Sequence, residues 1–337
     1  MFVIRSIRSN DLPSFFRLAA MLNTYNLPKD RLLLAKMIQV SNRSFKGKLS
    51  FLHEGRYVLV AEEISSGKIV GTSEILAKKG FPKNPFIFCE VGEDCMESKT
   101  LHKKVSHRYI KLHSTSDGAT EIGGLVVDPH YRGHGCGIGK VLSYVRMMYI
   151  KAHPGRFQKR ILAELLAYLD PEGENPLWNV LGKHFTGLSY ARADRLSIRN
   201  KEFILSLFPS EKIYTCLLPE RVQKVLEEPG FHTIPAKVLL EKIGFKYLHQ
   251  IDPFDGGPLY GAKTHEIRVC RETKEYRFLD ALKGSGLMEG IVMVEKKGEI
   301  CASLATANLL KTGMMLEERV AKFLQLRQGE KIWFYKI

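Results

Sequence analysis

Glycines at alternate positions, Gly133, Gly135, Gly137 and Gly139, stand inside the stretch "VVDPHYRGHGCGIGKVL" at 126–142, after an apolar run and before a helical pattern. Glycine loses more conformational freedom on folding than any other residue, so four so close together need a reason. One reason is an anion that must approach backbone N–H groups at the start of a helix. Arg132 precedes the first glycine, and its guanidinium can fork two phosphate oxygens. His134 lies among the glycines and reads as touching phosphate or solvent. The spacing excludes two familiar phosphate loops. A dinucleotide loop wants G-x-G-x-x-G directly after the first strand, with an acidic residue about 20 positions on. Here the loop follows several strands. A P-loop wants a hydroxyl residue after its lysine, and Lys140 is followed by Val141.

Other residues could move protons or hold a charged substrate. An imidazole can take a proton from an attacking amine or give one to a departing thiolate, which makes His232 a candidate; taken alone it reads as an ordinary surface histidine. Tyr131 and Tyr190 read as packing residues that could act as acids. Cys216 has no base beside it in sequence and reads as a small buried hydrophobe. Asp255, in the polar turn at 252–258, could face a pocket, and Asp194 with Arg192 reads as a structural ion pair. The six cysteines contain no C-x-x-C pair, which argues against a zinc site or a disulfide framework and leaves no metal expected.

The elements that must position these residues are legible in outline. The segment 1–21 gives a short strand, then a helix capped by Asn10 or Asp11. The segment 56–76 gives two β-rich runs around Ser65-Ser66-Gly67-Lys68, a hairpin. Further strands are predicted in "NPFIFCEV" and "HRYIKLHST". The run 120–129 is a strand ended by Asp128-Pro129, and 139–152 is a helix with Val141, Leu142, Val145, Met148 and Tyr149 on one side. "KRILAELLAYLD" is helix or strand. From Asn175 a compact helix carries Trp178, Leu181 and Phe185 on one face, and helices are expected at 201–208, at 220–227 and after Pro235. The tail from about Val269 reads as a small β-rich lobe with a hairpin through Lys297-Gly298 and a last strand, "KIWFYKI". Residues 1–190, 191–268 and 269–337 are the expected divisions.

With 51 Lys and Arg against 36 Asp and Glu, the net charge is +15. The basic residues are spread along the chain without an arginine-rich tail, so a polyanionic small ligand is favoured over nucleic acid. No apolar run of membrane-spanning length occurs and the first dozen residues hold no signal-peptide core, so a cytoplasmic protein without membrane partners is expected.

At Val127-Asp128-Pro129 and Arg132-Gly133-His134-Gly135-Cys136-Gly137 the chain resembles the pyrophosphate loop of the GCN5-related N-acetyltransferase superfamily, Q/R-x-x-G-x-G/A. A second register, with His134 in the arginine position and Gly137-Ile138-Gly139 as the glycines, stays open. The resemblance implies an α+β fold with a mixed, mostly antiparallel sheet flanked by helices. It also implies acyl-coenzyme A bound by the backbone of Leu125, Val126 and Val127 and by Arg132, Gly133, His134, Gly135, Cys136, Gly137 and Gly139, with an oxyanion role for the strand amides. "DPEGENPLWNVLGKHF", "YARADRLS", "IYTCLLPE", "IPAKVLLEKIGF" and "IDPFDGGP" together are similar to the arginine N-succinyltransferase family. That resemblance implies a second related half completing the substrate site and transfer of succinyl from succinyl-CoA to the α-amine of arginine. It also implies pairing with a like or related subunit. Ornithine, another acyl group, or a silent acyl-CoA or amino-acid sensor are the alternatives. The family's proton-donor histidine aligns without gaps to Gly230, so His232, two residues on, is the catalytic candidate, and Asp255 the substrate-binding one.

Overall fold

The computed structural model describes residues 1–21, 27–133, 137–170, 172–198, 200–284 and 286–337. They form two compact units that interleave along the chain: Met1–Lys78, Ile122–Lys159 and Lys263–Ile337 make the first, Lys79–Glu121 and Arg160–Ala262 the second. This division follows contacts rather than chain order, and so differs from three consecutive segments.

In the first unit, the strand Phe2–Ser6 lies antiparallel to Arg56–Glu63, which turns back as Lys68–Leu76. The turn falls where Ser-Ser-Gly-Lys predicts it. The helices Leu12–Ala20 and Arg31–Phe45 lay Phe15, Leu18, Leu34, Met37 and Ile38 against Val58, Val60, Ile69 and Val126. Asp11 stands at the N-cap position of the first helix without capping it. Its carboxylate instead takes two bonds from the Arg5 guanidinium, at 2.7 and 2.9 Å, and one from the Arg8 N–H at 2.7 Å. A forked, charge-assisted pair outcompetes a single neutral cap bond.

The tail closes a five-stranded ring. Met288–Lys296 pairs with Glu299–Leu310, that strand with Gly313–Glu317, that with Lys274–Leu282, that with Lys331–Lys336, and the last with Met288–Lys296 again. Closure leaves no free edge, and Phe278, Val292, Val294, Met314, Leu316, Ile332 and Phe334 fill the interior. The ring also joins the opening strand, Ile4 pairing with Ala302 and Arg5 with Cys301. The helix Ile138–Ala152 packs on Lys68–Leu76 and on the ring. It is buried nearly all round, Ser143, Tyr144, Arg146 and Met147 included, so more than the one predicted face is covered.

In the second unit, Phe86–Ser98 and Lys103–Thr115 form a long hairpin, flanked by Lys246–Ile251, Pro258–Lys263 and Arg160–Glu164 on one side and Ile213–Tyr214 on the other. The ambiguous stretch at 159–170 is thus a short strand followed by irregular chain. The predicted compact helix is two short ones, Pro176–Val180 and Gly182–Thr186, broken at Leu181. The break turns Phe185 out, 41% exposed, while Trp178 is fully buried. The strand Thr120–Val127 starts in this unit, where Thr120 pairs with Ile161 and Glu121 with Leu162 in parallel; from Ile122 on it belongs to the first. None of the described helices is long and apolar enough to cross a membrane.

Candidate active site

The strand before the glycines and the helix after them belong to the first unit. Val126 is buried in the core, while Gly123, Gly124, Leu125 and Val127 are half-buried. Asp128 ends the strand fully buried. Its N–H donates to the Val70 carbonyl at 2.8 Å, and its carboxylate accepts from the His130 N–H and from Arg17 at 2.7 Å, with Lys68 at 3.6 Å. Burial opposes its charge, but Arg17, the His130 amide and Lys68 outweigh that and hold its pKa below the usual carboxylate value. The turn Pro129–Tyr131 follows, and Tyr131 Oη donates to Glu63 at 3.1 Å. Arg132 Nε donates to the Val127 carbonyl at 2.8 Å, fixing the root of an exposed side chain.

Gly133 is exposed, and His134, Gly135 and Cys136 lie outside the described residues. Gly137 is the N-cap of Ile138–Ala152 at φ 56°, with no side chain capping the helix. A Cβ there would meet nothing within 4 Å, so glycine is required by the backbone angle and not by packing. The first N–H groups of the helix therefore meet no capping side chain from that position, the arrangement that suits an anion. Gly139 sits in the first helical turn, 3.7 Å from Val127 Cγ2 by the same construction.

Sequence reading missed two residues behind this strand. Arg146, 2% exposed, donates through Nη1 to the Gly123 carbonyl at 3.2 Å and through Nη2 to Ser143 Oγ at 2.9 Å. Glu74, 6% exposed, packs on Gly124, which has φ 56°. The double glycine inside an apolar strand was the available signal.

The second unit holds the other candidates. His232 is exposed on the 3₁₀ turn Phe231–Thr233, its ring centroid 5.7 Å from that of Phe231. Two residues earlier, Gly230 donates to the Leu166 carbonyl at 2.8 Å, and a Cβ on it would lie 2.6 Å from the Ala167 carbonyl oxygen. No histidine fits at Gly230 without moving backbone. Asp255 is buried, its oxygens accepting from Gly257 N–H at 2.7 Å and Ala167 N–H at 3.2 Å; it holds the turn. Tyr190 is buried packing, as read. Cys216 is exposed, contrary to expectation, because it falls in a 3₁₀ turn, Thr215–Leu217, whose Leu217 also faces solvent.

Around Asp255 runs a network of buried charge. Lys79 bonds both Glu121, at 3.0 Å, and Glu164. Burial alone would lower its pKa, but the two carboxylates outweigh this and raise it. Asp194 makes no ion pair with Arg192 that the structure shows; its Oδ2 is buried without a hydrogen-bond partner, and burial, then the charges of Asp252 and Glu164, push its carboxyl up to about 7. Burial and Glu164 push Asp252 up to about 6, and burial with Asp252 raises Asp255. Lys201 is lowered, chiefly by burial and by Lys79. Among the described residues of this network, five carboxyl groups (Glu121, Glu164, Asp194, Asp252 and Asp255) stand with two lysines, Lys79 and Lys201.

The strand Thr120–Val127 and the helix Ile138–Ala152, with the preceding strand, helices and hairpin in order, define a GCN5-related N-acyltransferase, a class that takes acyl-coenzyme A as donor. Residues 2–269 match the family model for the arginine N-succinyltransferase beta subunit. Arginine N-succinyltransferase of Yersinia enterocolitica is 32% identical over 278 residues, 82% of this chain and 79% of that one. The Salmonella arizonae enzyme of the same name is 33% identical over 277 residues, 81% and 79% of the two chains. The solved structure of arginine/ornithine succinyltransferase subunit AI from Pseudomonas aeruginosa superposes with a TM-score of 0.86 at 26% identity, covering 100% of this chain and 98% of that one. The chain belongs to the arginine N-succinyltransferase family.

Proposed function

We propose that the protein moves a succinyl group from succinyl-CoA to the α-amine of L-arginine. The family match over most of the chain carries this reading. The uncapped helix start at Gly137, with Arg132 rooted on Val127, supports a pyrophosphate seat in the first unit. The amides of Leu125, Val126 and Val127 would face the pantetheine arm and polarise the thioester carbonyl. In the second unit, Asp194 and its acidic neighbours would accept the cationic amino acid, with Asp255 shaping the turn beside them. His232 is the proton carrier of this scheme. Its imidazole takes the proton that the α-ammonium must lose, and returns one to the coenzyme A thiolate. Among the described residues no nucleophile-base pair stands beside the strand amides, and in this scheme the amine attacks the thioester directly. The "beta subunit" and "subunit AI" in the relatives' names fit a protein that works paired with a like or related chain; a cytoplasmic setting belongs to the same proposal.

Thiol release from succinyl-CoA and acetyl-CoA, measured against arginine, ornithine and lysine, tests the reading. Fastest release with succinyl-CoA and arginine is expected. Equal rates for all amines, or none, would overturn it.

A further inference from the structure

The first unit buries an arginine and a glutamate directly behind the strand proposed to polarise the thioester. Arg146 is 2% exposed and Glu74 6% exposed. Each keeps a polar atom buried without a hydrogen-bond partner, Nε of Arg146 and Oε2 of Glu74. The Arg56 guanidinium stands 3.6 Å from that Oε2, beyond hydrogen-bond reach. Burial pulls the Arg146 pKa down to about 9 against the opposing charge of Glu74. A core would be better served at these positions by packed apolar side chains, so the pair asks for a use.

Its contacts supply one. Arg146 Nη1 donates to the Gly123 carbonyl, and the next residue, Gly124, takes φ 56°, which turns a peptide unit out of the regular strand. Glu74 fills the space where a side chain on Gly124 would stand: a Cβ there would lie 3.1 Å from Glu74 Cγ. One residue is thus pulled from behind and the next is pressed from the side, immediately before Leu125. We propose that Arg146 and Glu74 are positioning residues: they hold the Gly123–Gly124 kink so that the Leu125–Val127 amides meet the thioester carbonyl in the transition state. This rests on the reading of those amides given above. Neither residue touches substrate. A donor shifted by about 1 Å loses most of its effect on the developing oxyanion, whereas ground-state binding of coenzyme A through the phosphate loop is left intact.

The test is steady-state thiol release by the full chain with succinyl-CoA and L-arginine, alongside coenzyme A titration and thermal melting. Variants are Arg146→Lys, Arg146→Met, Glu74→Gln and the repacked double variant Arg146→Met/Glu74→Leu. For Arg146→Met and the double variant, kcat is expected to fall about 10- to 100-fold. The KM for succinyl-CoA and the coenzyme A affinity should stay within about threefold, since the phosphate seat is untouched. Arg146→Lys should recover part of kcat. The double variant should melt no lower than Arg146→Met, because its core is apolar again, yet stay slow; if Arg146→Met does not fold, Arg146→Lys and Glu74→Gln carry the comparison. A wild-type kcat in a folded double variant overturns the inference, as does loss of kcat and coenzyme A affinity in parallel. An inactive wild type that binds coenzyme A fails the acyl-transfer reading itself, which the wild-type assay reveals before any variant is compared.

Discussion

Replacing Asp194 by asparagine should stabilise the protein at pH 8 far more than at pH 5. The Asp194 carboxyl is pushed from 3.8 to about 7 by burial first and then by Asp252 and Glu164. Between those values the folded chain holds a proton that the unfolded chain has lost, so stability falls as pH rises through the window. A shift of about 3 units at about 1.4 kcal/mol each gives a penalty of about 4 kcal/mol once both states are ionised at pH 8, and less than half of that at pH 5. Because Asp194, Asp252 and Asp255 share the strain of one charge cluster, part of the relief passes to the neighbours. The expected extra gain for Asp194→Asn at pH 8 over pH 5 is about 2 kcal/mol. Urea unfolding of both proteins at the two pH values, at fixed ionic strength, measures it. An equal difference at both pH values, or a larger one at pH 5, would refute the buried-acid reasoning. A cationic amino acid that occupies the cluster should remove the same penalty. L-Arginine is therefore expected to raise the melting temperature of the parent protein more at pH 8 than at pH 5, and to do so less in the variant.

Arg132→Gln should weaken coenzyme A binding about tenfold and flatten its salt dependence, since one phosphate-facing cation is lost; calorimetric titration at two salt concentrations reads both. Gly230→His places a Cβ against the Ala167 carbonyl, so melting should drop without any gain in kcat, whereas His232→Gln should keep the fold and lower kcat about 100-fold in the thiol-release assay. Lys79→Met leaves Glu121 and Glu164 without their shared cation and should cost about 3–5 kcal/mol in chemical denaturation.

What could be read from the sequence was local. The hairpin of Arg56–Glu63 and Lys68–Leu76 announces itself by β-rich runs and a Ser-Gly turn, and the strand, glycines and helix at 120–152 by their order. The helix Arg31–Phe45 was missed because its buried face is not purely apolar. Ser41 and Ser44 point inward, and their hydroxyls accept from the Val58 and Arg56 amides at 2.9 and 3.1 Å, interrupting the apolar period. The charge networks were illegible for another reason. Lys79 meets Glu164 across 85 positions, and Arg146 meets Gly123 through a fold that brings helix behind strand. Nothing in the spacing of lone charged residues marks such partners. Asp255 was correctly placed in a tight turn, but its oxygens proved to be committed to backbone amides. In that cluster an unpartnered carboxylate oxygen belongs to Asp194, which had been read as half of an ion pair.

The most direct measurement is mass analysis of the amino-acid product after incubation with succinyl-CoA and L-arginine, with fragmentation to locate the added group. Arginine carrying one succinyl group on its α-nitrogen, formed in step with free coenzyme A, is the expected result. Coenzyme A release without succinylated arginine, or succinyl found on the guanidino group, would contradict it.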